Sequence, residues 1–367
     1  MLKKCSNVII LSIFLFCAGL SGVFAGHFNY DPTYPLVGGP VGTPYPYSVD
    51  IAREPGDIPP TPLENNGTIT ITAQEVDAFV APKNHASSWA GDGTDVRFLY
   101  YAFGGGQTSE KKPKVPGPFL RVKQGNTVTI KLVNNSTHAE THSIDLHAAL
   151  GKKGGAAVLM AKPGETKSFT FVAKNPGIFL YHCVGTGTPH GIAEHQHNGM
   201  NGLILVEPSV GSLFEAVLPN AKQFFIMEQD IYYNPGTGEF DEALMLEKES
   251  PDYVVYNGRV GALVDHPLQA QAGEHVIIYH AAVGQHIPSF HIIGEIFDVV
   301  WNQGDLTSTP LLNIQTTLIP SSGVVAVGLN GSDLILTDLT AGDLNIIVDH
   351  AWPCFRKGAL GLMTVSP

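Results

Sequence analysis

The chain carries one strand pattern twice. Gly125-Asn-Thr-Val-Thr-Ile in the first half is matched by Gly273-Glu-His-Val-Ile-Ile in the second, and each is followed by a polar loop and a Ser-Ile-Asp or His-Ile strand. Near the ends of the halves, Gly177-Ile-Phe-Leu-Tyr-His182 is echoed by Leu344-Asn-Ile-Ile-Val-Asp-His350, and Gly202-Leu-Ile-Leu-Val by Gly361-Leu-Met-Thr-Val. Alternating or β-branched runs at 126–133, 167–172, 203–206, 275–279, 334–337 and 344–348 are bounded by Gly, Pro, Asn and Asp turns, with little helical periodicity. Such a pattern predicts an all-β fold of two tandem Greek-key β-sandwich domains, at 58–208 and 209–367. A Pro/Gly/Tyr-rich stretch at 26–57 reads as an extended N-terminal arm.

Residues 1–25 read as a secretory signal peptide: Lys3 and Lys4, an apolar run from Val8 to Leu20, and Val23-Phe24-Ala25 as a small-x-small cleavage site. The apolar run is short for a bilayer span, which needs about 20 residues, so stable membrane insertion is not expected. A lipid anchor at Cys17 is disfavoured by the bulky Phe16. The expected location is the periplasm or another part of the cell envelope. The formal net charge of −12 becomes −14 once the two signal lysines are lost; it disfavours nucleic acid and suits a cationic redox partner. Cys183 and Cys354 are the only cysteines beyond the signal, which rules out a disulfide framework. A bridge between them would consume a candidate metal ligand, so Cys354 is expected to be a free thiol.

Soft and borderline metal donors concentrate in two segments, Thr141–His147 and Tyr181–Met200. Cysteine thiolate, imidazole and thioether form the donor set of a blue-copper electron-transfer site. Adjacent strand residues face opposite sides. Hence Cys183 and His182 must diverge, as must His142 and His147, while Asp145 shares the face of His147. The donors fall into an inner set, His142, Cys183, His195 and Met200, and an outer set, His147 and His182 with Asp145 alongside. An open catalytic site typically uses three protein ligands, and His350, which echoes His182, is the natural third. An all-imidazole site does not fix its metal; the adjoining Cys183, a through-bond route from a one-electron donor, favours copper there too.

The motifs His-Ser-Ile-Asp-Leu-His-Ala (142–148), Gly-Ile-Phe-Leu-Tyr-His-Cys (177–183), His-x4-Met-Asn-Gly (195–202), Phe-His-Ile-Ile-Gly (290–294) and Leu-Ile-Pro (318–320) resemble those of the copper-containing nitrite reductases across nearly all of the mature sequence. The resemblance implies two cupredoxin-like domains and two coppers per chain. It places type 1 copper on His142, Cys183, His195 and Met200, and type 2 copper on His147, His182 and His350. It makes Asp145 and His291 the catalytic pair and Ile293 the apolar residue over the substrate. The implied reaction takes nitrite, one electron and two protons to nitric oxide and water. The implied partners are a small redox donor (a c-type cytochrome or cupredoxin) and two further copies of the chain in a homotrimer, with His350 crossing between subunits.

The chain departs from the family pattern in three places. The loop Val184–Glu194 is longer than usual and contains His190, with His197 close by; both are alternatives to His195, which keeps the His-x4-Met spacing. Glu194 stands where many members have Trp. Gln315 occupies the place of a Glu that in many members tunes the catalytic histidine. Two rival readings remain in view. A two-domain multicopper oxidase needs paired His-x-His motifs, whereas Cys183 is followed by Val184 and the first motif is His-x4-His. A non-catalytic electron carrier would leave the outer histidines without a task.

Overall fold

In the computed structural model the described residues are 50–82, 95–187, 189–208, 220–329 and 339–367. The signal peptide, most of the arm, the strand expected at 334–337 and the residues beside the expected 208/209 boundary lie outside them. All described residues belong to one unit, Val37–Pro367.

Two β-sandwiches follow one sequence of pairings. In the first, β1 (Gly67–Ala81) pairs in parallel with β4 (Thr127–Asn134), and β4 antiparallel with β6 (Thr166–Val172). On the other edge of that sheet lies β2 (Val96–Gly105), paired with β1. The facing sheet runs β3 (Leu120–Lys123), β8 (Asn201–Glu207), β7 (Gly177–His182), β5 (Asp145–Leu146).

The second sandwich repeats both sets. The strands β9 (Lys222–Ile231), β14 (Val276–Val283) and β19 (Val324–Leu329) take the roles of β1, β4 and β6. Likewise β13 (Leu268–Gln271), β21 (Leu360–Ser366), β20 (Leu344–Asp349) and β15 (Ser289–Ile293) take those of β3, β8, β7 and β5. Its sheets are widened by β12 (Tyr253–Tyr256), β16 (Phe297–Trp301), β17 (Leu311–Ile314) and β18 (Thr317–Leu318). A short hairpin, β10 (Tyr233–Asn234) with β11 (Glu239–Phe240), stands apart from them. Register then makes specific residues equivalent: Leu146 faces Tyr181 as Phe290 faces Asp349. His182 and His350, His147 and His291, and His142 and His286 therefore occupy matching places.

Strand alternation explains the first core. Val128, Ile130 and Leu132 of β4 point inward with Ile69, Ile71, Phe169 and Phe171, while Lys131 is exposed. The strands β7 and β8 differ because both of their faces are buried. Phe179, Tyr181, Ile204 and Val206 meet the first core, whereas Ile178, Leu180, Leu203 and Leu205 pack against Phe225, Met227, Ile277 and Trp301 of the second sandwich. That second contact turns alternation into the continuous apolar runs seen in sequence.

Three helices longer than a single turn occur among the described residues: α1 (Pro189–His197), α2 (Glu242–Lys248) and α3 (Trp352–Lys357). The stretch expected as a long loop before His195 is therefore partly helical, with Pro189 at the first helical position, where its missing N–H costs nothing. Its sequence sets His190, His195 and His197 around Glu194 and Gln196, so no apolar stripe announces it.

Candidate metal centres

The first cluster forms where the inward face of β7 runs out. Cys183 follows the last residue of β7, and its N–H donates to Met200 O (2.9 Å), while Met200 N–H donates to His195 O (3.0 Å). His142 is fixed by reciprocal backbone bonds with Ala161. The Cys183 Sγ lies 3.2 Å from His195 Nδ1 and 3.8 Å from His142 Nδ1, and the two Nδ1 atoms are 3.1 Å apart. Two bonds of about 2.0–2.3 Å to one ion place donors roughly 3.3–3.9 Å apart at tetrahedral to trigonal angles, close to these separations. Met200 is buried in the same core as Cys183. Backbone N–H groups of Ser143 and Gly185 also donate to the sulfur, each at 3.3 Å.

Both imidazoles have a carboxylate behind them: Glu75 lies 3.7 Å from His142 Nε2 and Glu140 3.8 Å from His195 Nε2. Glu75 is itself held by the hydroxyl of Ser136 and the N–H of Thr137. Burial disfavours ionisation of the Cys183 thiol, but the adjacent His195 and His142 outweigh it and hold the thiol well below its ordinary value. Burial likewise opposes charge on His195, yet the Cys183 thiolate, Glu140 and Glu194 lift it to about 10. The pocket is thus a preformed thiolate–imidazolium set.

The second cluster lies on the opposite face of the same strand end. Donor atoms of Asp145, His147 and His182 all fall within 4.8 Å of one another, and the two imidazole rings meet edge-on at 5.2 Å between centroids. His182 Nδ1 lies 2.9 Å from Cys183 O, so that Nε2 is the ring nitrogen available to a metal. The Gln196 side-chain amide sits 3.0 Å from the same Nδ1. His147 is open on one side, but the hydration it loses to surrounding protein, together with nearby His182, holds it below the ordinary imidazole value. The Asp145 carboxylate lies where a Cβ on Gly154 would stand, and Gly154 adopts φ +61°.

The structure brings His291 and His350 together, with ring centroids 5.1 Å apart. It does not bring them to the second cluster, since neither is among the donors gathered around His147 and His182. They repeat the His147–His182 pairing in the second sandwich, and His350 is exposed. His291 Nδ1 donates to the main-chain carbonyl of Gln315 rather than to its side chain, so the Gln-for-Glu exchange does not alter that bond. Burial and the nearby His350 hold His291 below the ordinary imidazole value, against the opposing Gln315 bond. Ile293 ends β15 at 37% exposure.

His190 and His197 lie elsewhere. His190 is exposed and pairs with Glu242 and Glu194, while His197 is buried, with Nδ1 bonded to Asp230 O and its ring stacked on Phe240. Sequence reasoning passed over Glu75, Glu140, Gln196 and Gly154. Only Glu75 carried a signal, an acid in an otherwise inward-facing position of a Thr/Ile strand.

A sequence model described as multicopper oxidase matches residues 110–210. The copper-containing nitrite reductase of Neisseria meningitidis is 38% identical over 282 residues, 74% of this chain and 65% of that protein. That of Alcaligenes xylosoxydans is 33% identical over 227 residues, 58% of this chain and 68% of the relative. The chain belongs to the copper-containing nitrite reductase family. Among solved structures of the family, the copper nitrite reductase of Nitrosomonas europaea superposes with a TM-score of 0.63 at 29% identity, over 82% of this chain and 94% of that one. The tandem sandwiches are accordingly cupredoxin-like. The chain spans just under two thirds of the length of the Neisseria relative.

Proposed function

We propose that this chain reduces nitrite to nitric oxide with two coppers per chain. The observation that carries the reading is the His182–Cys183 peptide, which joins two donor clusters on opposite faces of one strand end. The thiolate, two imidazoles and thioether of His142, Cys183, His195 and Met200 suit type 1 copper. His147 and His182 supply two thirds of an imidazole site, completed by His350 of the partner subunit. When bound, the first copper would relay one electron and the second would polarise nitrite as a Lewis acid.

The chain's own residues supply the protons. Reduction of nitrite by one electron consumes two protons and releases nitric oxide and water. Asp145 stands beside the imidazole pair, and His291, whose ring lies beside that of His350 and which would reach the site with it across the subunit contact, is held below the ordinary imidazole value by burial and passes protons as a relay. Ile293 would narrow the space over the bound anion. A trimer is supported by the exposed His350, which stands beside an exposed Trp352, a large aromatic side chain of the kind enriched at interfaces. Residues 1–25 support export to the periplasm. Among the described residues no helix is long and apolar enough to cross a membrane. The −14 charge of the exported chain suits a basic cytochrome or cupredoxin donor.

The test is nitric oxide release from nitrite by copper-loaded protein with a reduced artificial donor. Wild type should turn over with two coppers per chain, and Cys183→Ala should retain one copper but lose visible colour and turnover. Copper-replete wild type that makes no nitric oxide would remove the proposal.

A further inference from the structure

The second sandwich has kept a buried donor pocket at the place equivalent to the Cys183 cluster. His286 stands where His142 stands in the first sandwich. The same register makes Asp230 of β9 equivalent to Glu75 of β1, and each acid lies against its histidine. The cysteine equivalent is Ala351, but Cys354 enters the pocket from α3. Donor atoms of His286, Asp349 and Cys354 lie within 4.8 Å of one another.

The pocket's orientation is set from outside. Asp230 Oδ2 accepts the N–H groups of Gln285 and His286, and its Oδ1 lies against His286 Nδ1. His286 Nε2 therefore points inward, 3.0 Å from Glu228 Oε1 and 3.5 Å from Asp349 Oδ2. A carboxylate behind a histidine is the usual means of orienting a metal-binding imidazole. Asp349 Oδ1 accepts N–H groups from Ser289 and Ala351, both at 2.9 Å. Its Oδ2, and Glu228 Oε2, make no hydrogen bond among the described residues and face only His286 Nε2 at 3.5 Å and His280 Nε2 at 3.4 Å, although both side chains are buried, at 1% and 0% exposure.

Charge sharpens the case. Glu228, Asp230 and Asp349 are three buried carboxylates whose ion-pair partners among the described residues are His286 and His280.

We infer that the second sandwich holds one structural zinc ion on His286, Asp349 and Cys354, with the Glu228 carboxylate beside the imidazole. A single imidazole with a thiolate and a carboxylate, and no thioether, differs from the copper set in the first sandwich and suits zinc, which takes nitrogen, oxygen and sulfur donors together. Its place explains what it would do. Asp349 adjoins His350 and holds the N–H of Ser289, two residues before His291, so the ion braces the strand ends that carry both histidines.

The full-length chain, with its copper content and type 1 colour measured, would be equilibrated with zinc and then freed of loose metal. One zinc per chain should remain, and its X-ray absorption edge should show one sulfur at about 2.3 Å and nitrogen or oxygen at about 2.0 Å. With the first site at full colour, that sulfur belongs to Cys354. His286→Ala and Cys354→Ser should each lose the zinc while keeping wild-type copper. No retained zinc, zinc without sulfur in wild type, a third copper in its place, or zinc surviving both substitutions would overturn the assignment in favour of a metal-free imidazolium–carboxylate network. The wild-type spectrum decides even if a variant does not fold.

Discussion

His182 and Cys183 flank one peptide bond, and strand pleat alone sends the thiol into the first core and the imidazole to the opposite face. The second cluster depends as closely on a residue without a side chain. A methyl at Gly154 would stand on the Asp145 carboxylate and would also strain a φ of +61°. Asp145→Asn is expected to keep both coppers and slow nitrite reduction by at least about 10²-fold, the lower range for loss of an acid catalyst. Gly154→Ala should move in the same direction, with copper content again unchanged, because it displaces the same carboxylate. Steady-state turnover at saturating nitrite checks both, and near-normal rates in Asp145→Asn would take the residue out of the mechanism.

At the scale of elements, the end of β7 and the helix α1 form a junction between two differently charged clusters. Consecutive helix residues serve different neighbours: His195 meets the Cys183 sulfur, Gln196 meets His182, and His197 bonds the second sandwich. Below about pH 10 the metal-free first cluster carries a proton on His195 that copper must displace, whereas the low value of His147 leaves that ligand neutral near pH 7. Copper loading of metal-free protein at pH 7 should therefore release at least about one proton per ion at the first site and fewer at the second. Affinity at the first site should rise with pH until about pH 10. A pH-stat titration of wild type against Cys183→Ala separates the two; equal proton release from both proteins would contradict the charge assignment.

Much of this junction was legible beforehand. Period-2 parity divided His142 from His147 and His182 from Cys183, and repeated Gly-led strands revealed the duplication. The helix α1 was not legible, because a segment that sets three histidines around Glu194 and Gln196 has no apolar stripe. Nor was the role of Glu75, which becomes adjacent to His142 only when β1 packs in the fold, or that of Gly154, which depends on where the Asp145 side chain comes to rest.

Across the whole molecule, duplication supplies two copies of one histidine pair, His147–His182 and His291–His350, at equivalent strand ends. The two pairs do not meet within the chain, so a shared site requires a neighbouring copy, and a head-to-tail ring brings unlike surfaces together. His147→Ala and His350→Ala homotrimers should each be inactive. Unfolded and reassembled together, they should regain part of the activity, since a subunit with intact His147 can sit beside one with intact His350. Mixed trimers shown to form yet still inactive would remove the intersubunit site.

An electron stored at the Cys183 cluster is expected to leave through His182 to nitrite. A single turnover tests it: the copper-loaded protein is reduced until its colour bleaches, excess donor is removed without oxygen, and nitrite is added. The colour should return with about one nitric oxide released per reoxidised centre, and His147→Ala, with its first cluster intact, should stay bleached. Colour returning at the wild-type rate in His147→Ala, or returning in wild type without nitric oxide, would rule out that electron route.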